Sequence, residues 1–208
     1  MMELIKKYFE KKITERQLEQ FAALDELYRD WNSKINVISR KDIDMLYEHH
    51  VLHSLSIANV INFRAGTRIL DFGTGGGFPG IPLAIVFPDC HFTMIDGTGK
   101  KIRVAQEVAN AIGLKNVEIA HRRGEDEKGL YQFIVSRAVM PLPDLMKIVR
   151  KNIGGKQQNS LPNGVIVLKG GDTENETRQF KKIIETWNIK TFFEEEWFNE
   201  KHVIYLPV

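Results

Sequence analysis

The first sixty residues carry apolar side chains at the spacing of a helix. The clearest series recurs every three or four positions and consists of Leu18, Phe21, Leu24, Tyr28 and Trp31. Thr14 and Gln17, just ahead of that series, fit the capping box that begins many helices. The pattern predicts a second helix over about 42–60. We therefore expect a helical cap over residues 1–62, followed by a larger domain over 63–208.

After residue 66 the pattern changes to short apolar runs that alternate with amphipathic segments. The predicted strands are 67–72, 91–96, 116–120, 131–139, 164–169, 190–197 and 201–207. The predicted helices between them are a short one that begins near Gly80 and three more over about 99–112, 143–151 and 174–186. Such alternation indicates a mostly parallel sheet with both faces covered. The prediction is a doubly wound α/β domain of seven strands that ends in an antiparallel hairpin.

Composition restricts the class of protein. The chain has 208 residues, of which 43% are hydrophobic and 27% charged, as in globular domains. No run approaches the roughly 18 apolar residues of a membrane span, and the charged N-terminus does not resemble a secretory signal. A cytoplasmic location is therefore expected. The single cysteine, Cys90, excludes an internal disulfide and a cysteine-based zinc site, and it is expected to lie in the core.

A glycine-rich stretch, ILDFGTGGGFPGIPLAI at 69–85, follows the first predicted strand. A strand, a glycine turn and a helix together bind nucleotide-like ligands beyond the carboxyl ends of the strands. Gly75, Gly77 and Gly80 match the spacing G-x-G-x-x-G. That pattern fits NAD as well as other adenosine-bearing cofactors, so the glycines alone leave the cofactor open.

Two carboxylates favour S-adenosylmethionine. Asp71, two residues before Gly73, would repel the pyrophosphate of a dinucleotide and attract the α-ammonium group of a methionine moiety. Asp96 ends the second predicted strand and is expected to accept hydrogen bonds from ribose hydroxyls, which serves either cofactor. Nothing beyond residue 140 is large enough for the separate catalytic domain of a dehydrogenase. An NAD-binding module, and a turn-capping role for Asp71, stay as alternatives.

The motifs resemble those of the bacterial ribosomal RNA small-subunit methyltransferase G family, also called glucose-inhibited division protein B. The resemblance covers nearly the whole chain and rests on D-F-G-T-G-G-G-F-P-G-I-P-L-A-I, F-T-M-I-D-x-x-x-K-K, W-N-x-x-x-N, H-x-x-x-S-L, R-x-E, S-R-A and L-K-G. Among these, F-P-G-I-P is much more specific than the glycine spacing. The sequence departs from the family at His53, Gly97 and Val37-Ile38, where Asp, Ser and Leu-Thr are usual.

The resemblance implies a Rossmann-like, S-adenosylmethionine-dependent methyltransferase fold and methyl transfer to N7 of a guanine in the 530 loop of 16S rRNA. Guanine N7 already carries an in-plane lone pair, so placement beside the sulfonium methyl is the main requirement and no general base is expected. The alternatives are a small-molecule methyltransferase of the same fold and a non-catalytic rRNA-binding protein. The implied partner is 16S rRNA, the small subunit or its assembly intermediate, with the protein acting as a monomer.

The expected cofactor-binding residues are Asp71, Gly73, Gly75, Gly77, Phe78, Asp96, Gly124, Glu125 and Arg137. By resemblance, Gly73 and Phe78 line the cofactor, and Gly124 with Glu125 meets its adenine after the third strand. Arg137 follows the fourth strand, where a guanidinium suits the methionine carboxylate or an RNA phosphate.

The expected RNA-binding residues are His50, Lys100, Lys101, Arg123, Arg137 and Lys169. Arg137 and Lys169 are also the candidates for positioning the reacting base. The histidines at 49, 50 and 53 have helical spacing, but the sequence shows no carboxylate or cysteine partner set beside them, and no metal site is expected.

Overall fold

Five parallel strands and two antiparallel ones form a single sheet in the computed structural model, which describes residues 2–208. The strands are β1 (Arg68–Phe72), β2 (His91–Asp96), β3 (Val117–His121), β4 (Phe133–Arg137), β5 (Gly164–Gly170), β6 (Glu185–Asn188) and β7 (Lys201–Pro207). Their order across the sheet is β3-β2-β1-β4-β5-β7-β6. The strands β1 to β5 pair in parallel, whereas β7 runs antiparallel to both β5 and β6. The predicted fold class is therefore confirmed.

Alternate residues of each central strand point to opposite faces of the sheet, and each face is covered. Ile69 and Val135 contribute to an apolar cluster beneath the N-terminal helices and the two helices after β1 and β2. Leu70 and Ile134, their neighbours in sequence, contribute to a second cluster beneath the helix after β4. Burial on both faces explains why these strands read as nearly continuous apolar runs.

The helices of seven residues or more are α1 (Met2–Phe9), α2 (Glu15–Lys34), a π-helix (Leu46–Leu52), α5 (Gly80–Val86), α6 (Gly99–Ala111) and α7 (Leu142–Val149). Shorter ones are α3 (His53–Leu55), α4 (Ile57–Val60) and α8 (Glu174–Thr177). The capping box is confirmed: the Thr14 N–H donates to Gln17 Oε1 at 2.7 Å, and the Gln17 N–H donates to Thr14 Oγ1 at 3.3 Å. No helix within 2–208 has the length and apolar character that crossing a membrane requires.

The cap shares its apolar core with the sheet. Phe9 and Phe21 from α1 and α2 belong to the same buried cluster as Ile69 of β1. The Gln17 amide donates to the carbonyl oxygen of Ile85 at 2.6 Å, and the Tyr28 hydroxyl donates to that of Gly76 at 2.8 Å. The cap is thus fastened directly to α5 and to the glycine loop. A division between 62 and 63 stays a prediction.

Three predicted elements are wrong in whole or in part. The segment 42–60 is not one α-helix but a 3₁₀ turn, the π-helix and two short α-helices. The helix expected over 174–186 ends at Thr177, and part of that range forms β6. The strand expected over 190–197 is instead a pair of 3₁₀ turns, Ile189–Thr191 and Glu196–Phe198.

The aromatic residues near 193 explain the last of these errors. Phe193 packs edge-on against Tyr8 of α1, with ring centroids 4.9 Å apart, and against Phe198 at 5.3 Å. Both phenylalanines are buried by this packing against the cap. Aromatic residues favour strands in local propensity, but here tertiary packing outweighs that preference.

Candidate active site

The glycine-rich loop lies between β1 and α5, at the carboxyl edge of the sheet. The neighbours β2 and β4 lie on opposite sides of β1, so the strand order reverses there. Open α/β sheets bind ligands at such a switch point. Gly73, Gly75 and Gly77 have φ angles of 72°, 57° and 112°. Other residues rarely adopt this left-handed region, which explains the glycines of the motif.

The carboxylate of Asp71 joins the two ends of this loop by hydrogen bonds. Its Oδ2 accepts hydrogen bonds from the Gly80 N–H at 2.8 Å and from the Thr74 hydroxyl at 2.5 Å. Its Oδ1 is buried without a hydrogen-bond partner among residues 2–208. Burial raises the pKa of Asp71 to about 7, against the opposing effect of the Thr74 and Gly80 hydrogen bonds. The observed contacts are those of a loop-capping carboxylate, and its contact with a cofactor ammonium stays a prediction.

Asp96 fastens the same loop from the side of β2. Its Oδ2 accepts from the Gly75 N–H at 2.9 Å, and its Oδ1 accepts from the Thr98 N–H at 2.7 Å. A carboxylate has about four lone-pair sites, so two acceptor sites are left over. Asp96 can therefore orient the loop and still accept hydrogen bonds from a diol.

Two cavities adjoin at this edge, and Gly73, Asp96 and Val139 line both. The larger, about 560 Å³, has the size of a small-molecule site. Of the predicted residues it is lined by His50, Gly73, Gly75, Phe78, Asp96, Lys101, Arg137 and Lys169. The smaller, about 360 Å³, is lined by Gly73, Asp96, Arg123, Gly124 and Glu125. Asp71 lies behind the loop, Gly77 packs against Ile81 and Tyr28, and neither lines a cavity, whereas Lys100 lies in a neighbouring groove.

Arg137 links the end of β4 to the cap. Its Nη1 donates to the carbonyl oxygen of His49 at 3.2 Å, and its Nη2 donates to His50 Nδ1 at 3.0 Å. The guanidinium carbon lies 5.2 Å from the centroid of the Phe78 ring. Burial lowers the pKa of Arg137 to about 10, which leaves the group charged at neutral pH. The larger cavity therefore contains a fixed cation.

Phe78 forms a wall between the loop and the cap. Its ring centroid lies 4.9 Å from that of Tyr28 and 5.3 Å from that of His50. The side chain is buried and yet lines the larger cavity. The apolar contact expected of Phe78 is thus possible, and packing of the cap uses the same ring.

Lys169 lies at the end of β5, on another wall of the larger cavity. Its ammonium donates to the carbonyl oxygen of Met140 at 2.7 Å and to Glu176 Oε2 at 2.9 Å. Glu176 also accepts from the Leu142 N–H at 2.8 Å. Lys169 is therefore already paired at the cavity wall, and its contact with RNA stays a prediction.

Gly124 is required by packing within the protein. A Cβ atom at this position would lie closer than 3.0 Å to the Phe72 ring. The ring of Phe72 occupies that space, and the contact of Gly124 with adenine stays a prediction. Glu125 and Arg123 are exposed at the smaller cavity.

Two cationic side chains lie over the ring of Trp31 in α2. Lys34 Nζ lies 5.1 Å and Arg103 Cζ 5.8 Å from the centroid of the Trp31 ring. A groove next to them is lined by Lys34, Ile35, Asn36, Thr98, Lys100, Lys101 and Arg103. Because Lys101 lines both this groove and the cavity, the two surfaces are adjacent.

Several residues at the larger cavity were not predicted as site residues, among them Asp42, Val139, Trp197 and Lys201. Asp42 accepts hydrogen bonds from the two histidines His49 and His50. The indole of Trp197 stacks on the His49 ring, with centroids 4.1 Å apart, and Lys201 Nζ lies 4.5 Å from the Trp197 centroid. No local sequence pattern indicated Trp197 as a site residue, because its segment was predicted as a strand. No group of three or more His, Cys, Asp and Glu side chains within 2–208 is placed to hold a metal ion.

Known proteins identify the family of this chain. Residues 16–204 match the family model described as rRNA small subunit methyltransferase G. The chain belongs to this family. Its relatives include proteins named ribosomal RNA small subunit methyltransferase G from Bacteroides fragilis, 63% identical over 207 residues and 100% of both chains, and from Cytophaga hutchinsonii, 50% identical over 99% of both chains. The resemblance drawn from the motifs is confirmed.

Solved structures share the fold of this family member at low identity. A mutant of MtNAS in complex with S-adenosylmethionine has a TM-score of 0.58 at 12% identity, over 90% of this chain and 74% of that one. The tRNA (m1A58) methyltransferase TrmI of Aquifex aeolicus has a TM-score of 0.56 at 18% identity, over 76% and 68%. These likenesses support the fold class alone.

Proposed function

We propose that this protein transfers a methyl group from S-adenosylmethionine to N7 of a guanine in the 530 loop of 16S rRNA. One observation carries the proposal: in a member of this family, the glycine loop with Asp96 and the fixed cation Arg137 line a single cavity at the switch point of the sheet. The choice of N7 and of the 530 loop rests on the family resemblance of the motifs.

The residues present fit S-adenosylmethionine. Asp96 has free acceptor sites for ribose hydroxyls, and Gly73, which packs against Val139, lines both cavities. Asp71 lines neither cavity and serves the cofactor by holding the glycine loop closed. Gly124 and Glu125 line the adjoining cavity, on the side proposed for adenine. When bound, the cofactor supplies an electrophilic methyl group on its sulfonium.

The chain's own residues suit a reaction that depends on positioning. Burial and the nearby Arg137 charge lower the pKa of His50 to about 4, so its imidazole is neutral at physiological pH. Both of its ring nitrogens are engaged, by Asp42 and by Arg137, so His50 is not free to act as a base. Arg137 uses two of its five N–H donors within the protein, and the others suit guanine O6 or a phosphate. Methylation at N7 needs no base, which agrees with this arrangement.

The groove beside Trp31 supports RNA as the substrate. Lys34, Lys100, Lys101 and Arg103 line it, and Lys101 continues into the larger cavity. Lysines beside an aromatic face suit single-stranded or looped RNA, which proteins bind through phosphates and stacked bases. We propose that RNA flanking the target guanine follows this groove. The substrate would be 16S rRNA, the small subunit or an assembly intermediate, methylated by a cytoplasmic monomer.

The test is transfer of a labelled methyl group from S-adenosylmethionine to 16S rRNA and to small subunits that lack the modification. The labelled RNA is digested, and its nucleosides are identified. Label in 7-methylguanosine from the 530 loop is the expected result. Cofactor binding without label in RNA would favour the small-molecule methyltransferase instead. Absence of cofactor binding would leave the non-catalytic rRNA-binding protein.

A further inference from the structure

The side chains of Asp42, His50 and Arg137 are linked by hydrogen bonds that run from the cap to the end of β4. His50 Nε2 lies 2.6 Å from Asp42 Oδ2, and His50 Nδ1 lies 3.0 Å from Arg137 Nη2. Asp42 precedes a 3₁₀ turn of the cap, His50 belongs to the π-helix, and Arg137 ends β4. All three line the larger cavity. These hydrogen bonds therefore join the cap to β4 at the candidate active site.

The chemistry of the three groups determines where the protons lie. A guanidinium only donates, so His50 Nδ1 must accept from Arg137. A neutral imidazole then carries its proton on Nε2, which donates to Asp42. The titratable and charged groups that face His50 are Asp42, His49 and Arg137, and burial with the Arg137 charge favours the neutral ring. A protonated His50 would have no acceptor for Arg137.

Further contacts around these three residues keep the Arg137 guanidinium in place. Arg137 donates a second hydrogen bond to the carbonyl oxygen of His49, and His49 itself bonds to Asp42 and stacks on Trp197. The next residue, Ala138, has a φ of 52°, a conformation that non-glycine residues seldom adopt. The orientation of Arg137 is thus determined by the cap as much as by its own strand.

We propose that Asp42 and His50 are positioning residues, which hold the Arg137 guanidinium in the orientation that places the target base for methyl transfer. The inference rests on the proposed function of this cavity. Asp42 acts on Arg137 through His50, so neither residue needs to touch the base. Displacement of a positioning group by about 1 Å can lower a rate roughly a hundredfold.

Two substitutions of the same residue separate the two hydrogen bonds. In His50→Asn, the amide oxygen can take the place of Nδ1 and accept from Arg137, but the side chain is too short to reach Asp42. In His50→Gln, the amide nitrogen can take the place of Nε2 and donate to Asp42, but the acceptor for Arg137 is lost. Both variants replace the ring by an amide and remove the buried aromatic packing against Phe78.

The measurements are kcat and KM for methylation of rRNA, cofactor affinity and thermal midpoint for both variants. We expect His50→Gln to lower kcat about tenfold more than His50→Asn, with KM for RNA and cofactor affinity nearly equal and similar midpoints. Nitrogen-15 NMR of the wild-type protein should show the Nε2–H tautomer of His50. Equal kcat losses, a loss that follows the thermal midpoint, or an Nδ1–H tautomer would overturn the positioning role.

The outcomes also separate this inference from the proposed function. A wild-type protein that is active on rRNA, with equal losses in both variants, overturns only the positioning role. A wild-type protein that transfers no methyl group to rRNA overturns the proposed function and the positioning role with it. In that case the tautomer still decides whether His50 accepts from Arg137.

Discussion

The buried carboxylate of Asp71 accepts a hydrogen bond from the backbone N–H of Gly80 at 2.8 Å, and so joins the end of β1 to the start of α5. A Cβ atom at Gly80 would lie closer than 3.0 Å to this carboxylate and to Met94. Aspartate and glycine are therefore required together. The hydrogen bond closes the glycine loop from beneath, while Asp96 holds Gly75 from the side.

Replacing Asp71 tests the closure of this loop. In Asp71→Ala, the Gly80 N–H and the Thr74 hydroxyl lose their acceptor, and each unsatisfied buried donor costs about 1–3 kcal/mol. We expect a lower thermal midpoint and an affinity for S-adenosylmethionine weaker by at least about tenfold. Calorimetric titration measures the affinity. Asp71→Asn retains an acceptor and should lose less, whereas unchanged affinity in Asp71→Ala would contradict the role.

Gly73 offers a test of the loop conformation. Alanine at this position would combine a φ of 72° with a clash against Val139, which lines both cavities. We expect Gly73→Ala to weaken binding of the cofactor markedly, because the loop must move to relieve the clash. The matched control is Gly66→Ala, since Gly66 has a similar φ of 78°, a Cβ atom there meets nothing within 4 Å, and it lines neither cavity. Equal affinities in the two variants would show that this loop geometry is not needed.

The groove beside Trp31 predicts a salt-dependent contribution to RNA binding. Lys100→Ala and Lys101→Ala should each weaken binding of a 16S rRNA fragment and reduce the slope of log K against log salt by roughly 0.7 for each phosphate that the variant no longer neutralises. Fluorescence anisotropy at several salt concentrations measures that slope. Lys115→Ala is the control, because this exposed lysine follows the opposite end of α6. A similar reduction in slope for Lys115→Ala would rule out a specific groove.

Replacing Lys169 tests whether cofactor binding and RNA methylation depend on different residues. The ammonium of Lys169 lies at the cavity wall and is bonded to Glu176 and to the carbonyl oxygen of Met140, neither of which belongs to the glycine loop. We expect Lys169→Ala to leave cofactor affinity within about twofold and to lower rRNA methylation at least about tenfold. Titration with cofactor and a methyl-transfer assay on the same preparation distinguish the two effects. An equal loss of cofactor affinity would show that Lys169 has no separate role in RNA methylation.

The His50 imidazole predicts a pH-dependent stability. Its pKa in the folded protein, about 4, lies below the ordinary value of 6.5, so the unfolded chain binds more protons between these values. The contribution of neutral His50 to stability is therefore complete above pH 6.5 and is lost as pH falls toward 4. Urea unfolding should show that the advantage of the wild type over His50→Asn shrinks by roughly 2 kcal/mol between pH 7.5 and 5.

Comparing the wild type with His50→Asn at each pH removes the contribution of the other titrating groups, because both proteins contain them. Burial raises the pKa of Asp71, which acts in the opposite direction over part of this range, but Asp71 is present in both proteins. His91→Asn is a further control, since His91 is exposed at the start of β2. A gap between wild type and His50→Asn that is constant or widens on acidification would mean that His50 is not held neutral.

Local patterns were sufficient for the central part of the fold. The runs around Ile69, Met94 and Ile166 predicted buried strands, and Thr14 with Gln17 predicted the start of α2. These elements depend on neighbouring residues: alternation of burial, a capping pair and glycines at left-handed positions. The terminal part was less predictable. Thr186 and Trp187 become a strand only through pairing with β7, and nearby aromatics turn toward α1.

The glycine loop, the carboxylates that frame it and the family motifs could be recognised from the sequence because each occupies a short, contiguous stretch. The tertiary structure alone decided how those pieces meet. Arg137 and His50 are 87 positions apart, and their hydrogen bond exists because the cap packs onto the carboxyl edge of the sheet. Trp197 reaches His49 from the other end of the chain for the same reason. Contacts across such separations arise from burial of a shared apolar core, which no local spacing records.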